Sequence, residues 1–243
     1  KFNHSNPSSS CGGVVKNSAL RGAKVTKPLA STMSFCKITD IFFDLDRTLW
    51  DFDRNSEQAL LELFNAHAVS FNDTTFDNFH KHYKRVNQDL WHRYSIGKMD
   101  KERLRYERFR KTFQRFGLIN EELVTLFGDG YVFLSPKKTN LIPHTHEVLD
   151  ELVGHGFSLH VITNGFSEIQ EIKLENCGIR SYFKEVICSE AIGVNKPNPR
   201  IFKHALDCAK ASATNAIMVG DDYRTDIIGA IRSGMQAVWY NPS

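Results

Sequence analysis

Two aspartates stand one residue apart at the end of an apolar segment of the chain. In the sequence KITDIFFDLDRTLW, residues 37–50, the β-forming residues 41–43 lead directly into Asp44 and Asp46, and Thr48 follows two positions later. This pattern predicts a buried strand that ends in two carboxylates. Because burying a charged group is costly unless something compensates the charge, we expect a cation to be the missing partner of these acids.

Three further predicted strands are followed by polar residues of the same kind. These residues are Thr163 and Asn164 at the end of FSLHVITN, Lys196 in the loop after KEVICS, and Asp221, Asp222 and Asp226 after AIMVG. Any one of these groups is typical of an ordinary turn or helix cap. All four groups together indicate a single site, because the ligands of open α/β sheets bind beyond the carboxyl ends of the strands.

The elements that must position these residues alternate between strands and helices. A first strand at about 39–45 is followed, after residue 134, by a repeated helix–strand rhythm that ends with QAVWY. Such alternation predicts an α/β fold with a Rossmann-like parallel sheet and helices on both of its faces. This core is predicted to span residues 33–53 and 135–243.

Residues 54–134 have a different pattern, in which apolar residues recur every three or four positions, as on one face of a helix. They predict an all-helical domain inserted into the core. Within it, residues 74–116 carry twelve Lys or Arg residues against five acids. Two interpretations stay open, a field that steers an anionic substrate or a solvated helix surface. Trp91 and Tyr94 are likewise consistent with stacking on a ring or with core packing.

The composition is that of an ordinary globular protein, with 41% hydrophobic residues and a formal charge of +3 over 243 residues. The five cysteines form no CxxC pair, which favours reduced thiols and a cytoplasmic protein. Residues 1–32 carry five basic residues and no acid. We interpret them as a disordered tail, an expression leader or an organelle-targeting segment. Without a membrane-length apolar stretch or a nucleic-acid recognition motif, we expect neither partner, and a monomer or homodimer.

The four polar groups resemble the motifs of the haloacid dehalogenase-like (HAD) hydrolase superfamily. DLDRT corresponds to the first motif, VITNG to the second, the lysine of NKPNP to the third, and VGDDYRTD to the fourth. The resemblance covers residues 33–243. It implies a helical cap domain between the first and second motifs, where the insertion is predicted.

The resemblance implies phosphoryl transfer to an aspartate nucleophile. Asp44 would attack phosphorus and form an aspartyl-phosphate, and Asp46 would protonate the leaving oxygen and then activate water. Lys196 would neutralise charge on the nucleophile and the phosphoryl group. The residues expected to bind the phosphate are Thr48, Thr163, Asn164 and Lys196. Asp46 favours phosphatase chemistry, because dehalogenases lack this second aspartate, since a halide leaving group needs no proton.

The same resemblance implies a Mg²⁺ cofactor. A hard cation with oxygen ligands would offset the repulsion between the two acids and the phosphate. Its expected ligands are Asp44, the Asp46 backbone carbonyl and Asp221. Asp222 and Asp226 compete for a supporting role behind these ligands, and the family's Gly-Asp-x₄-Asp spacing favours Asp226.

The segment FFDLDRTLWDFDRNS is also similar to the YjjG-type pyrimidine 5′-nucleotidases, as are GVNKPNPRIF and AVWYNP. We therefore expect a phosphoric monoester hydrolase that acts on a small phosphorylated metabolite, in first place a nucleoside 5′-monophosphate. A phosphatase of phosphoglycolate or sugar phosphates and a phosphomutase are alternatives with related chemistry. A non-catalytic regulatory or scaffold protein is the alternative of another class.

Overall fold

Six strands form one sheet in this computed structural model, which describes residues 23–25, 38–71 and 74–242. The strands are β1 (Ala23–Val25), β2 (Asp40–Phe43), β3 (Ser158–Thr163), β4 (Phe183–Cys188), β5 (Ala216–Gly220) and β6 (Gln236–Tyr240). Their order across the sheet is β1-β6-β5-β2-β3-β4. Strands β2 to β6 are parallel, and β1 pairs antiparallel with β6. The residues that follow β2, β3 and β5 therefore meet at one edge of the sheet.

Four helices between Phe52 and Leu134 form the inserted domain, called the cap below. They are α1 (Phe52–Ala66), α2 (Phe76–Ser95), α3 (Lys101–Gln114) and α4 (Glu121–Leu134). Each begins after a side chain that accepts a hydrogen bond from its first turn, at Asp51, Thr75, Asp100 and Asn120. The cap has its own core of stacked and edge-on aromatic rings, including Phe79, Phe109 and Phe127. Its first helix begins two residues before the predicted boundary at residue 54.

Five helices cover the two faces of the sheet. They are α5 (Thr145–Gly154), α6 (Ser167–Asn176), α7 (Ser189–Ile192), α8 (Pro199–Ala209) and α9 (Ile228–Arg232). Side chains of β2 alternate between the faces, so that Phe43 packs in the cluster that contains Leu174 of α6, and Phe42 in the cluster that contains Phe202 of α8. The predicted fold class, a Rossmann-like parallel sheet with helices on both faces and an inserted helical domain, is confirmed. Across the described ranges, no helix is both long enough and apolar enough to cross a bilayer.

The chain passes between core and cap twice, and the two passages are bonded to each other. Trp50 on the outgoing passage forms a backbone bridge with Leu141 on the returning one. The side chain of Asn55 donates to the Asn140 carbonyl at 2.8 Å and accepts from the Asn140 N–H at 3.1 Å. These contacts hold the base of the cap directly beside the end of β2.

Two local features differ from the prediction. The segment RTDIIGAIRSG, residues 224–234, has the pattern of one helix, but residues 223–227 form a wider π-helical turn before α9, a distortion that often accompanies functional sites. Strand β1 falls within residues 1–32, which are excluded from the predicted fold. The rest of that segment lies outside the described residues, so its interpretation as a leader stays a prediction.

Candidate active site

Asp44 follows β2 directly and lies between the ends of β3 and β5. Its N–H donates to the Val219 carbonyl at 2.8 Å, so the backbone is still part of the sheet ladder at this residue. The residue is 7% exposed. One carboxylate oxygen accepts from Lys196 Nζ at 2.6 Å, and the other faces the buried hydroxyl of Thr48 at 3.3 Å. The Asp44 carboxylate is therefore held in one orientation at the carboxyl edge of the sheet.

Lys196 is a buried ammonium group whose three protons all have acceptors. The residue is 2% exposed, and its Nζ contacts Asp44 Oδ1 at 2.6 Å, Asp226 Oδ1 at 2.8 Å and the Ile162 carbonyl at 2.7 Å. Burial by itself lowers the pKa of this lysine, but the Asp226 and Asp44 carboxylates outweigh burial and raise it. The side chain of Asn164 fixes the Lys196 backbone, accepting from its N–H at 2.8 Å. Lys196 therefore stays charged at neutral pH.

Three carboxylates converge beside this lysine. One oxygen from each of Asp44, Asp221 and Asp226 lies within 4.8 Å of the others. Burial raises the pKa of Asp44 to about 8, where repulsion from Asp226 and Asp221 adds to it and Lys196 opposes it. Burial, together with Asp226, raises the pKa of Asp221 to about 6. The cluster thus carries more negative charge than one ammonium can compensate, and its oxygen donors fit a hard divalent cation such as Mg²⁺.

Asp226 and Asp222 have different places in this arrangement. Asp226 is buried within the carboxylate cluster, whereas an oxygen of Asp222 accepts from the N–H groups of Arg224 and Thr225 and caps the π-helical turn. Gly220 allows the close approach of Asp226, because a Cβ at Gly220 would lie 2.3 Å from Asp226 Oδ2. The geometry favours Asp226 over Asp222 for the supporting role, and the role itself stays a prediction.

Asp46 is not one of the three clustered carboxylates and is held by two side chains of α6. Lys173 Nζ lies 2.6 Å from one of its oxygens, and Gln170 Nε2 donates to the other at 3.0 Å. Gln170 also donates to the hydroxyl of Thr163 at 2.8 Å, and that hydroxyl accepts from the Gly165 N–H. The structure therefore links the ends of β2 and β3 through one polar network around Asp46.

Gln170 and Lys173 are absent from the site predicted from the sequence. Both are buried, although they belong to polar residue types that usually lie at the surface. They share one helix face with Leu174 and Cys177, which are also buried. Their spacing on the apolar face of a predicted helix is the signal that could have identified them.

A cavity opens beside Asp46, between the cap and the core. Its empty space, including the opening to solvent, amounts to about 720 Å³. Residues from both domains line it, among them Asp46, Phe52, Trp91, Arg108, Phe166 and Lys173. The cavity is therefore placed to receive the part of a substrate that extends away from the carboxylate cluster.

Cap and core touch each other beside this cavity. Lys101 at the start of α3 forms ion pairs with Glu168 and Glu190 of the core, and its ammonium lies 4.5 Å from the centre of the Phe166 ring. Trp91 of the cap stacks on the same ring, with centroids 5.5 Å apart. Trp91 therefore packs at the interface between cap and core and also lines the cavity. It has features of both interpretations given above, packing within the protein and a surface on which a ring could stack.

The sequence of this chain matches the family model described as haloacid dehalogenase-like hydrolase over residues 41–240. The chain belongs to the haloacid dehalogenase-like hydrolases. The predicted membership of this family of enzymes, made from the four motifs, is therefore confirmed.

Two proteins named as pyrimidine 5′-nucleotidases are similar to this chain over most of its length. Pyrimidine 5′-nucleotidase YjjG of Escherichia coli (strain K12) is 34% identical over 206 residues, which cover 83% of this chain and 85% of that protein. Pyrimidine 5′-nucleotidase PynA of Streptococcus pneumoniae (strain ATCC BAA-255 / R6) is 30% identical, with 83% of each chain covered. The names of both relatives describe phosphoric monoester hydrolases.

Among solved structures, the HAD-hydrolase YfnB of Bacillus subtilis, described as putative and as bound to magnesium, has a TM-score of 0.75 to this chain. The two share 26% sequence identity, and the match covers 83% of this chain and 87% of YfnB. The structure of YfnB is described as revealing interdomain movement. The likeness extends over the core and cap of this hydrolase together.

Proposed function

We propose that this chain is a Mg²⁺-dependent phosphatase that hydrolyses nucleoside 5′-monophosphates through an aspartyl-phosphate on Asp44. The observation that carries the proposal is the convergence of Asp44, Asp221, Asp226 and Lys196 beside a cavity that also contains Asp46. The names of both relatives at 30% identity or more described above are those of nucleotidases, which favours nucleotides among the phosphate esters.

The first half of the reaction would form a bond between Asp44 and phosphorus. A carboxylate oxygen of Asp44 attacks the phosphorus atom, and the bond from phosphorus to the ester oxygen breaks. The leaving oxygen takes a proton from Asp46 and departs as the hydroxyl of the nucleoside. Lys196, fixed by its contacts to Asp44 and Asp226, stabilises negative charge on the transferring group.

The second half would return Asp44 to its starting state. Asp46 takes a proton from a water molecule, whose oxygen attacks phosphorus and breaks its bond to Asp44, releasing inorganic phosphate. Asp44, Asp221 and the backbone of Asp46 would hold the Mg²⁺ ion, with Asp226 behind them. When bound, the ion supplies charge compensation for the anionic oxygens of the phosphate.

Phosphate release by the purified protein tests this proposal. With Mg²⁺ present we expect release from UMP, from CMP and from a generic aryl phosphate, complete loss after addition of EDTA, and recovery with excess Mg²⁺. Ribose 5-phosphate, phosphoglycolate and a haloacid complete the panel, and an added sugar acceptor detects mutase activity. Absence of phosphate release from every ester with Mg²⁺ present would overturn the phosphatase and leave the scaffold alternative.

The variant Asp46→Asn tests the acid–base role. An amide cannot exchange the proton, so we expect steady-state turnover of UMP to fall by roughly 10²- to 10⁴-fold. The loss should be smaller for an aryl phosphate, because its leaving group needs little protonation. Intact-mass measurement after substrate addition should show a phosphorylated chain, since breakdown of the intermediate also needs Asp46.

The matched control for this experiment is Asp53→Asn. Asp53 is an exposed carboxylate on the neighbouring helix α1 and pairs with Arg47 at 2.9 Å. The variant Asp53→Asn should retain normal turnover of UMP. Unchanged turnover in Asp46→Asn would remove Asp46 from the mechanism.

A further inference from the structure

The cavity beside Asp46 has walls suited to a planar ring. The side chains of Phe52 and Trp91, the Phe166 ring and Tyr131 contribute to its lining. Aromatic rings of a ligand stack favourably on such surfaces. An aliphatic sugar phosphate would make little use of them.

One charged group in this cavity has no carboxylate partner. Arg108 of α3 is 6% exposed and lines the cavity. Its Nε donates to the Arg105 carbonyl at 3.3 Å, and its guanidinium lies 4.5 Å from the centre of the Tyr131 ring. Among the described residues, no carboxylate lies within ion-pair distance of it.

The other basic residues on this helix near the cavity are paired. Arg105 forms an ion pair with Asp129 at 2.7 Å, and Lys101 pairs with two glutamates as described above. The hydroxyl of Tyr83 is no counterion for Arg108, because burial raises its pKa well above the usual value and keeps it neutral. A buried charge without a partner is costly. A hydrogen-bond acceptor on a ligand would offset this cost for the Arg108 guanidinium.

A second buried polar group in the cavity also lacks a partner. Gln170 uses its Nε2 for Asp46 and Thr163, and its Oε1 is buried without a hydrogen bond among the described residues. This oxygen has almost no accessible surface, so the donor available to a ligand between cap and core is Arg108 on the cap. An acceptor on a ring attached to the phosphate-bearing group matches that donor.

We infer that Arg108 determines substrate specificity by donating hydrogen bonds to a ring carbonyl oxygen of the nucleobase. The inference rests on the proposed function and adds the recognised group. Uracil, thymine and cytosine all carry a carbonyl oxygen at ring position 2, whereas adenine carries none. A single unpaired guanidinium between aromatic walls suits a neutral ring with such an oxygen better than a second phosphate, which usually recruits several cations.

The test compares kcat/KM for the wild type, Arg108→Gln and Arg108→Lys on five substrates. UMP and CMP carry the carbonyl, AMP lacks it, and ribose 5-phosphate and an aryl phosphate lack the base. The wild type should prefer UMP and CMP over AMP and ribose 5-phosphate. In Arg108→Gln the values for UMP and CMP should fall on the order of 10- to 100-fold, as for loss of a charged hydrogen bond. The aryl phosphate and ribose 5-phosphate should change by less than about 2-fold.

Arg108→Lys keeps the charge and most of the packing over Tyr131, so it should fold even where the glutamine variant does not, and show a smaller loss on UMP. The control Arg93→Gln removes an exposed arginine of the same cap that pairs with Asp89 at 3.0 Å. It should leave all five substrates unchanged.

The outcomes separate the two proposals. An equal loss on all substrates, or no loss on UMP and CMP, overturns the specificity role of Arg108. A wild type that hydrolyses the aryl phosphate without preferring UMP and CMP overturns it too, while the phosphatase stands. A wild type that hydrolyses none of the esters overturns the proposed function, and the role of Arg108 falls with it.

Discussion

Asp44→Asn is expected to abolish phosphate release, with a loss of roughly 10⁴-fold or more, as when other enzymes lose their nucleophile. The amide cannot form the covalent bond to phosphorus, and no neighbouring carboxylate can replace it. Asp226 is bound to Lys196, and Asp46 is held by Lys173 and Gln170 on the other side. Phosphate release from UMP and intact-mass analysis for a phosphorylated chain are the measurements.

Asp44→Asn should also retain its fold. The pKa of Asp44 gives the sign of the expected change in folding stability. Burial raises this pKa to about 8, so the folded, metal-free protein binds the proton more tightly than the unfolded chain does. The stability that this proton provides is present at low pH and is lost as the pH rises through about 8. A neutral asparagine avoids that loss, so metal-free Asp44→Asn should be at least as stable as the wild type at pH 8 and above.

Two results would count against the nucleophile assignment. One is turnover above about 1% of wild type that stays with the variant through purification. The other is a phosphorylated chain in the variant. The control Asp53→Asn tests whether any exposed carboxylate near the site has a similar effect.

Lys196→Met is expected to cost both stability and activity. The change leaves the Asp226 carboxylate buried without its ammonium partner, and removing one partner from a buried ion pair destabilises by about 3–5 kcal/mol. Urea unfolding of the metal-free wild type and variant at pH 7 measures this loss in the free energy of unfolding. Turnover should fall by at least about 10³-fold, because the charge on the transferring phosphoryl group loses its fixed cation.

Two further variants isolate the cause of this effect. Lys203→Met removes an exposed lysine on α8 and should change the free energy of unfolding by less than about 0.5 kcal/mol. The double variant Lys196→Met with Asp226→Asn removes one uncompensated charge and should recover part of the stability. A double variant less stable than Lys196→Met alone would contradict an electrostatic origin.

The parallel sheet and the placing of the polar residues at its edge could be predicted from the sequence. Strands β2 and β5 are short apolar runs that end in acids, and both features are local in the chain. Asp44, Asp221 and Asp226 meet because the sheet order puts β2 beside β5. That proximity follows from a general rule of α/β folds and needs no knowledge of individual contacts.

The residues around the leaving group could not be predicted in the same way. Arg108 is one of twelve basic residues in residues 74–116. It differs from the two paired basic residues of α3 described above in having no carboxylate partner, and that depends on how α3 packs against α4. Lys173 lies 127 positions from Asp46 in the chain, and its place on the buried face of α6 marks it as unusual without identifying Asp46 as its partner. Their roles arise from contacts between elements, and such contacts leave little trace in local residue patterns.

The bonded double passage between core and cap limits how the cap can move. A domain attached by one linker can rotate in any direction, but Trp50 with Leu141 and Asn55 with Asn140 join the two passages into a narrow ribbon. A ribbon bends more easily than it twists, so any movement of the cap would be a swing about one axis. Because the outgoing passage starts only a few residues after Asp46, each swing would also shift the backbone of Asp46, the proposed acid–base residue. Access to the cavity and the position of Asp46 would thereby be coupled through one short segment of the chain.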